Sequence, residues 1–145
     1  MAKIFPVSAV LAFGVAPRST RDVSHLLRNG VTHVLDVQES KVPGRLLSGH
    51  VHYLHLPTAD TREEVPNWIF DRAARFASPV LAVEGSHLFV CCGQGRQRSP
   101  AVVYYLLRLE GIPPQTSENL VRGARASIST VYFASAEVAL GGRGR

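Results

Sequence analysis

The chain has 145 residues, 46% of them hydrophobic, and a formal net charge of +5 with a pI near 9.8. A chain of this length buries roughly 70% of its unfolded surface in one core, so it needs neither a metal nor a disulfide framework to fold. Its two cysteines are adjacent and cannot staple distant elements. No apolar run reaches the ~18 residues of a membrane span, and the basic balance favours acidic partners, phosphorylated substrates or nucleic acid, without choosing between them.

Residues 1–17, MAKIFPVSAVLAFGVAP, place Lys3 before an apolar run like that of a signal peptide. Pro6 and Gly14 interrupt the run and no small-x-small cleavage site follows, so the stretch is expected to supply core residues instead. From Arg18 the pattern turns helical, with Ser19 or Thr20 as cap, Val23, Leu26 and Leu27 on one face, and Gly30 closing the helix. Residues 32–37, THVLDV, read as a buried strand. Residues 38–49 contain Pro43, Gly44 and two serines and read as a surface loop, and residues 51–56 alternate like the next strand. His50, His52 and His55 have no Cys or carboxylate at a ligand spacing beside them, so they are expected on the outward face of an edge strand and not around a metal.

A short loop, PTADTREEVP, then leads into a helix carrying Val65, Ile69, Ala73 and Phe76. Farther on, Gly111, Pro113 and Pro114 break the chain. A helix from Thr116 is expected to turn Leu120, Val121 and Ala124 inward, and a last helix from about Thr130 carries Phe133, Val138 and Leu140. There are no repeats and no linker, so residues 1–140 read as one domain, with a short basic tail at 141–145.

The chemistry concentrates in LFVCCGQGRQRSPAVVYYLL, residues 88–107. Its start has the length of a buried strand. Pro100, followed by Val102, Tyr105, Leu106 and Leu109, opens an amphipathic helix. A loop that opens into a helix turns unpaired backbone N–H groups, backed by the helix dipole, toward one spot, which makes an anion cradle. Gly93 and Gly95 lie within the loop, and Gly95 stands where a turn with φ > 0 would need it. The same field favours a thiolate and makes Cys92 a nucleophile. Arg98 carries a planar fork that bonds two phosphoryl oxygens at once, and Ser99 has a hydroxyl for the departing thiolate.

The segment Cys91-Cys92-Gly93-Gln94-Gly95-Arg96-Gln97-Arg98-Ser99 resembles the signature of the cysteine-dependent protein phosphatases, and within them the compact dual-specificity phosphatases. That signature is His-Cys, two residues, Gly, two residues, Arg, then Ser or Thr, and Cys91 stands where the histidine is usual. The resemblance implies an α/β fold with a central, mostly parallel sheet of about five strands flanked by helices, opened by a short strand and an apolar hairpin. It implies Cys92, Arg98, Asp60 and Ser99 as catalytic residues, with Gly93, Gln94, Gly95, Arg96 and Gln97 binding substrate. Asp60, 32 residues before Cys92, would be the general acid. Its plain structural role would be to cap the following helix, and Glu63 and Glu64 are its rivals. The stretch RASISTVYF looks like the family's last turn between helices, with Thr130 and Val131 where Pro and Asn are usual.

The function implied is hydrolysis of phosphotyrosine and phosphoserine or phosphothreonine in proteins through a phosphocysteine, with no cofactor, in the cytoplasm, or the nucleus in a eukaryotic cell. Arg96 brings in another reading. A second basic residue in the loop also suits phosphoinositides or RNA 5′ ends, whereas its plain role is an exposed rim charge. Two further classes stand beside these. A rhodanese-like sulfurtransferase also sets a cysteine between strand and helix, and VLDVQES faintly echoes that fold, but it usually carries the arginine closer to the cysteine. A phospho-binding module without activity would most simply lack Cys92.

Overall fold

The structure, a computed structural model, describes residues 3–143. Strands β1 (Ile4–Pro6) and β2 (Leu11–Val15) form the opening hairpin and pair antiparallel. Helix α1 (Thr20–Arg28) follows, capped by Ser19, whose hydroxyl accepts the Asp22 N–H at 3.2 Å, and strand β3 (His33–Asp36) comes next. A one-turn helix α2 (Gly44–Leu47), strand β4 (His52–His55) and helix α3 (Asn67–Leu81) lead to strand β5 (Leu88–Cys92). Helices α4 (Arg98–Leu109), α5 (Pro114–Ala124) and α6 (Phe133–Arg143) complete the chain.

The five strands make one sheet in the order β1-β2-β5-β3-β4, and all but β1 run parallel. Every residue of β5 is buried, as a central parallel strand covered on both faces requires. The pleat sends its side chains alternately to two cores. Leu88, Val90 and Cys92 join Phe13, Leu35, Phe70 and Tyr105 under α3 to α6, whereas Phe89 and Cys91 join Val23, Leu26 and Val34 under α1 and α2. The loops that leave the C-terminal ends of β2, β4 and β5 share one edge of the sheet, the place where open parallel sheets hold ligands.

Several expectations need correction. The 38–49 segment is not all surface loop. It forms α2, which buries Leu46 and Leu47 beside Val42, because this apolar triplet closes the open side of the second core. Leu27, Leu120 and Val138 are exposed, at 37%, 39% and 65%. The inward stripes of their helices are instead carried by Val23 and Leu26, by Ser117 and Val121, and by Phe133, Ala136 and Ala139, since only one narrow face of each helix is covered, that of α5 by α4 and that of α6 by α3 and α4. Helix α4 begins at Arg98, two residues before Pro100, which the first turn accepts because its missing N–H would have no intrahelical partner there. Helix α6 runs through residues 141–143 of the expected tail, and residues 144–145 lie outside the described residues.

β4 is an edge strand. Exposed His52 stacks on His33 with ring centroids 4.6 Å apart, and His55 Nε2 contacts the Gln38 carbonyl at 3.0 Å. Among the described residues no group of three ligating side chains gathers, and no helix is long and apolar enough to cross a membrane.

Gly14 in β2 has no room for a side chain. A Cβ there would run into the Lys3 carbonyl and come within 3.1 Å of the Phe89 ring. Gly14→Ala should therefore cost about 1–3 kcal/mol of unfolding free energy through overpacking, read as a lower urea midpoint at constant m-value. An unchanged midpoint would show that β1 yields freely.

Candidate active site

β5 ends on Cys92, and both neighbouring strands hold it. Ala16 N–H, just after β2, donates to the Cys92 carbonyl at 2.9 Å, and Val37 N–H, just after β3, donates to the Cys91 carbonyl at 2.8 Å. The Cys92 side chain is 2% exposed. The chain then folds back on the sulfur: Gly95 N–H donates to Sγ at 3.2 Å, and Ser99 Oγ lies 3.3 Å from Sγ on the first turn of α4. When the sulfur is a thiolate, the Ser99 hydroxyl donates to it.

Gly95 is required twice over. Its φ is +65°, and a Cβ would stand 2.8–3.0 Å from the backbone of Gly14. The loop packs backbone to backbone on β2 at this point.

The outside of the loop is held through its carbonyls. Arg18 Nη2 donates to Gly93 O at 3.4 Å, and Arg125 Nη1 donates to Gln94 O at 2.7 Å and Gly95 O at 3.2 Å. Ser129 N–H donates to Arg96 O at 2.8 Å. In a trans peptide the following N–H points away from the carbonyl, so anchoring four successive carbonyls outward turns the N–H groups of Gln94, Gly95, Arg96 and Gln97 away from those anchors. The Gly95 N–H on the Cys92 sulfur marks where that inner side lies. The loop has the geometry of an anion cradle of the kind its glycines suggest, gripped from behind by two arginines and the Ser129 N–H. Arg125 also lies 4.5 Å over the Phe5 ring, and burial together with nearby Arg96 lowers its pKa.

A cavity of about 370 Å³ opens above the loop, walled by Cys92, Gln97, Arg98, Asp60, Arg96 and Arg18. Arg98 Nη1 donates to the Thr58 carbonyl at 2.8 Å, while its buried Nε has no partner among the described residues. A buried donor left unmatched costs about 1–3 kcal/mol, which an oxyanion in this cavity would offset.

Asp60 stands across the cavity on the loop after β4. Tyr132 OH donates to its Oδ1 at 2.5 Å. The Gln97 amide, with its NH2 turned to the carboxylate, lies 2.7 and 2.9 Å from the two oxygens. Tyr132 also accepts the Arg62 N–H at 2.7 Å, and Ser135 Oγ accepts the Val65 N–H at 3.0 Å. The acid-bearing loop is thus strapped to the α6 region, with Arg62 in the left-handed conformation at φ 63°. Burial, then the bond to Asp60, raises the Tyr132 pKa, so the phenol keeps its proton and remains a donor. Glu63 and Glu64 are exposed and do not line the cavity.

All nine expected residues are on or beside this one loop and cavity. Arg18, Thr58, Arg125 and Tyr132 were not anticipated. Arg125 and Tyr132 fall in the RASISTVYF stretch, so only the departures at Thr130 and Val131 drew attention to it. Cys91 lies on the opposite face, fully buried, beside Asp36. The Asp36 carboxylate accepts Tyr53 OH at 2.6 Å and the N–H groups of Gln38 and Val42 at 3.2 and 3.3 Å. Burial first, then the Asp36 charge, pushes the Cys91 thiol up. Cys91 is a buried strand residue turned away from the cavity, as its apolar strand position suggests.

No family model matches the chain. By sequence it is 30% identical over 110 residues to dual specificity protein phosphatase 22 of Mus musculus, an alignment covering 75% of this chain and 58% of that protein. The chain therefore spans under two thirds of that relative. By fold it is similar to human DUSP28, with a TM-score of 0.77 at 23% identity over 98% of this chain and 95% of that one. It is also similar to PTPMT1 in complex with PI(5)P, with a TM-score of 0.80 at 18% identity over 98% and 99% of the two chains. The fold is that of the cysteine-dependent phosphatases. Within that class the chain has the compact dual-specificity phosphatase architecture, and its sequence relative is of the same kind.

Two measurements check this geometry. Tyr132→Phe leaves the Arg62 amide without an acceptor, so its hydrogen exchange should quicken by about tenfold or more, while the core amides of β5 keep their protection. Equal exchange in both proteins would mean that the strap bears no load. Because Cys91 is raised above its ordinary value of 9.0 in the folded chain, its contribution to stability is full below about pH 9 and declines as pH rises above it. Cys91→Ala should remove the first part of that alkaline decline, and parallel stability curves would contradict the assignment.

Proposed function

We propose that the chain hydrolyses phosphate monoesters by way of a phosphocysteine. The single observation that carries this reading is that Cys92 and Asp60 face one cavity, with Arg98 tied to the loop that bears Asp60. The phosphoryl group sits in the cradle, its oxygens held by loop N–H groups and the Arg98 fork. Cys92 Sγ attacks phosphorus, the bond to the ester oxygen breaks, and Asp60 passes a proton to the departing oxygen. Water then attacks the phosphocysteine and gives a proton back to Asp60. Inorganic phosphate leaves, and the returning thiolate is met by the Gly95 N–H and the Ser99 hydroxyl.

The substrates proposed are phosphotyrosine and phosphoserine or phosphothreonine in proteins, a reading supported by the similarity to dual specificity protein phosphatase 22. The short loops around the cavity support a site shallow enough for both. A free thiol at the centre of the chemistry suits the reducing cytoplasm. The phosphoinositide reading rests on Arg96 and on the likeness to PTPMT1. A sulfurtransferase gains nothing from an acid strapped over its thiol, so Asp60 weighs against that alternative.

Cys92→Ser should abolish turnover of aryl phosphates while vanadate still binds. Asp60→Asn should lose ~100 to 10,000-fold with basic leaving groups and far less with activated esters. Equal losses across leaving groups would reduce Asp60 to a structural part, and sulfur transfer from thiosulfate to cyanide without phosphatase activity would overturn the proposal.

A further inference from the structure

On the esterase reading Asp60 gives a proton in one step and takes one back in the next, and a carboxyl group has two oxygens to hold it. The surroundings treat the two oxygens differently. Tyr132 OH donates to Oδ1 at 2.5 Å, while the Gln97 NH2, turned to the carboxylate, lies 2.7 Å from Oδ1 and 2.9 Å from Oδ2. Helix α3 does not draw Asp60 away as a cap, since it starts behind Pro66 with no side-chain cap bond.

The direction of the phenol bond is fixed by its neighbours. Arg62 N–H donates to the Tyr132 oxygen at 2.7 Å, so the phenol proton leaves on the other side, toward Asp60. Tyr132 is fully buried, and burial followed by the bond to Asp60 raises its pKa, so it stays a donor throughout. An oxygen that already receives a phenol proton is the weaker base of the pair. Gln97 suits both states of the other oxygen: its NH2 donates to a carboxylate, and its carbonyl, after half a turn of the amide, accepts from a carboxylic acid.

We propose that Tyr132 is a positioning residue for the general acid: by holding Oδ1 it assigns the transferable proton of Asp60 to Oδ2. The inference rests on the phosphomonoesterase reading and adds a residue to it. In the first step Cys92 Sγ bonds to phosphorus, the bond to the ester oxygen breaks, and its electron pair goes to that oxygen, which takes the Oδ2 proton. The charge left on Asp60 spreads over both oxygens, where the Tyr132 donor stabilises it. In the second step a water oxygen bonds to phosphorus, the electron pair of the P–S bond returns to sulfur, and the water proton passes to Oδ2. A donor that favours the carboxylate helps the acid step and works against the base step. The two steps therefore respond to Tyr132 with opposite sign.

Burst and single-turnover kinetics on the full chain separate formation of the phosphocysteine from its hydrolysis. With aryl phosphates of basic leaving groups, Tyr132→Phe should slow formation about tenfold or more, while hydrolysis keeps its rate or quickens. Tyr132→3-fluorotyrosine retains the acceptor for the Arg62 N–H and carries a more acidic phenol, so formation should quicken and hydrolysis slow. It decides the matter alone if the phenylalanine variant does not fold. Ser135→Ala removes the bond to the Val65 N–H on the same loop without touching the carboxylate, and should change both steps alike. Equal losses in both steps for Tyr132→Phe, or wild-type rates in both for the fluorinated chain, would overturn the assignment and leave the esterase reading standing. A wild type that forms no phosphocysteine from any aryl phosphate would remove the esterase reading, and this role for Tyr132 with it.

Discussion

Everything at this site depends on a loop that turns back tightly enough for the Gly95 N–H to reach the sulfur of Cys92, three residues before it. That turn needs a positive φ and a backbone pressed on that of Gly14 in β2, so it demands glycine at 95. The tightness also fixes where the peptide groups point. Once Arg18, Arg125 and the Ser129 N–H hold the loop carbonyls from behind, the opposite edge of each peptide has its donors fixed in advance. Arginine serves two distinct ends here. Arg125 builds the cradle from outside, and Arg98 completes it from within.

The acid loop is a second body brought to the first by three unrelated contacts. Tyr132 comes from beyond α5, Gln97 from the cradle itself, and the Thr58 carbonyl takes the Arg98 guanidinium. Because Arg98 and Gln97 both touch this loop, a shift of Asp60 would be felt by the proposed phosphate clamp. Chemistry that needs a proton at one end of a breaking bond and a nucleophile at the other gains from this coupling, since small misplacements are costly in rate.

The two adjacent cysteines show how a pleat separates roles. One residue of register sends Cys92 to the cavity and Cys91 to a buried cluster with Asp36 and Tyr53. On one side a thiol receives an amide and a hydroxyl; on the other a thiol is pushed toward its neutral form by burial and a carboxylate. The same element thus carries the proposed nucleophile and a sulfur turned away from the cavity about 3.8 Å of chain apart, by the ordinary spacing of successive Cα atoms.

Local signals were legible in the residues. The buried strand at 88–92, the glycine at 95 and a helix cap at Ser19 or Thr20 each follow from spacing and residue type, because each is decided within a few residues, whereas the same signals put the start of α4 two residues late, at Pro100. Asp60 came through the resemblance to a family, as no local pattern separates a general acid from a helix cap. What was not legible depends on contacts between distant segments. Leu27, Leu120 and Val138 have core-like chemistry, yet they are exposed, because the width of the helix face that neighbouring elements cover is set by packing and not by periodicity. The grip of Arg125 on residues 94 and 95, and of Tyr132 on Asp60, spans 30 to 72 residues of chain. A sequence states which side chains can donate. Only the closed fold decides which carbonyl or carboxylate lies within 3 Å of them, because that distance is fixed by the packing of whole helices on the sheet.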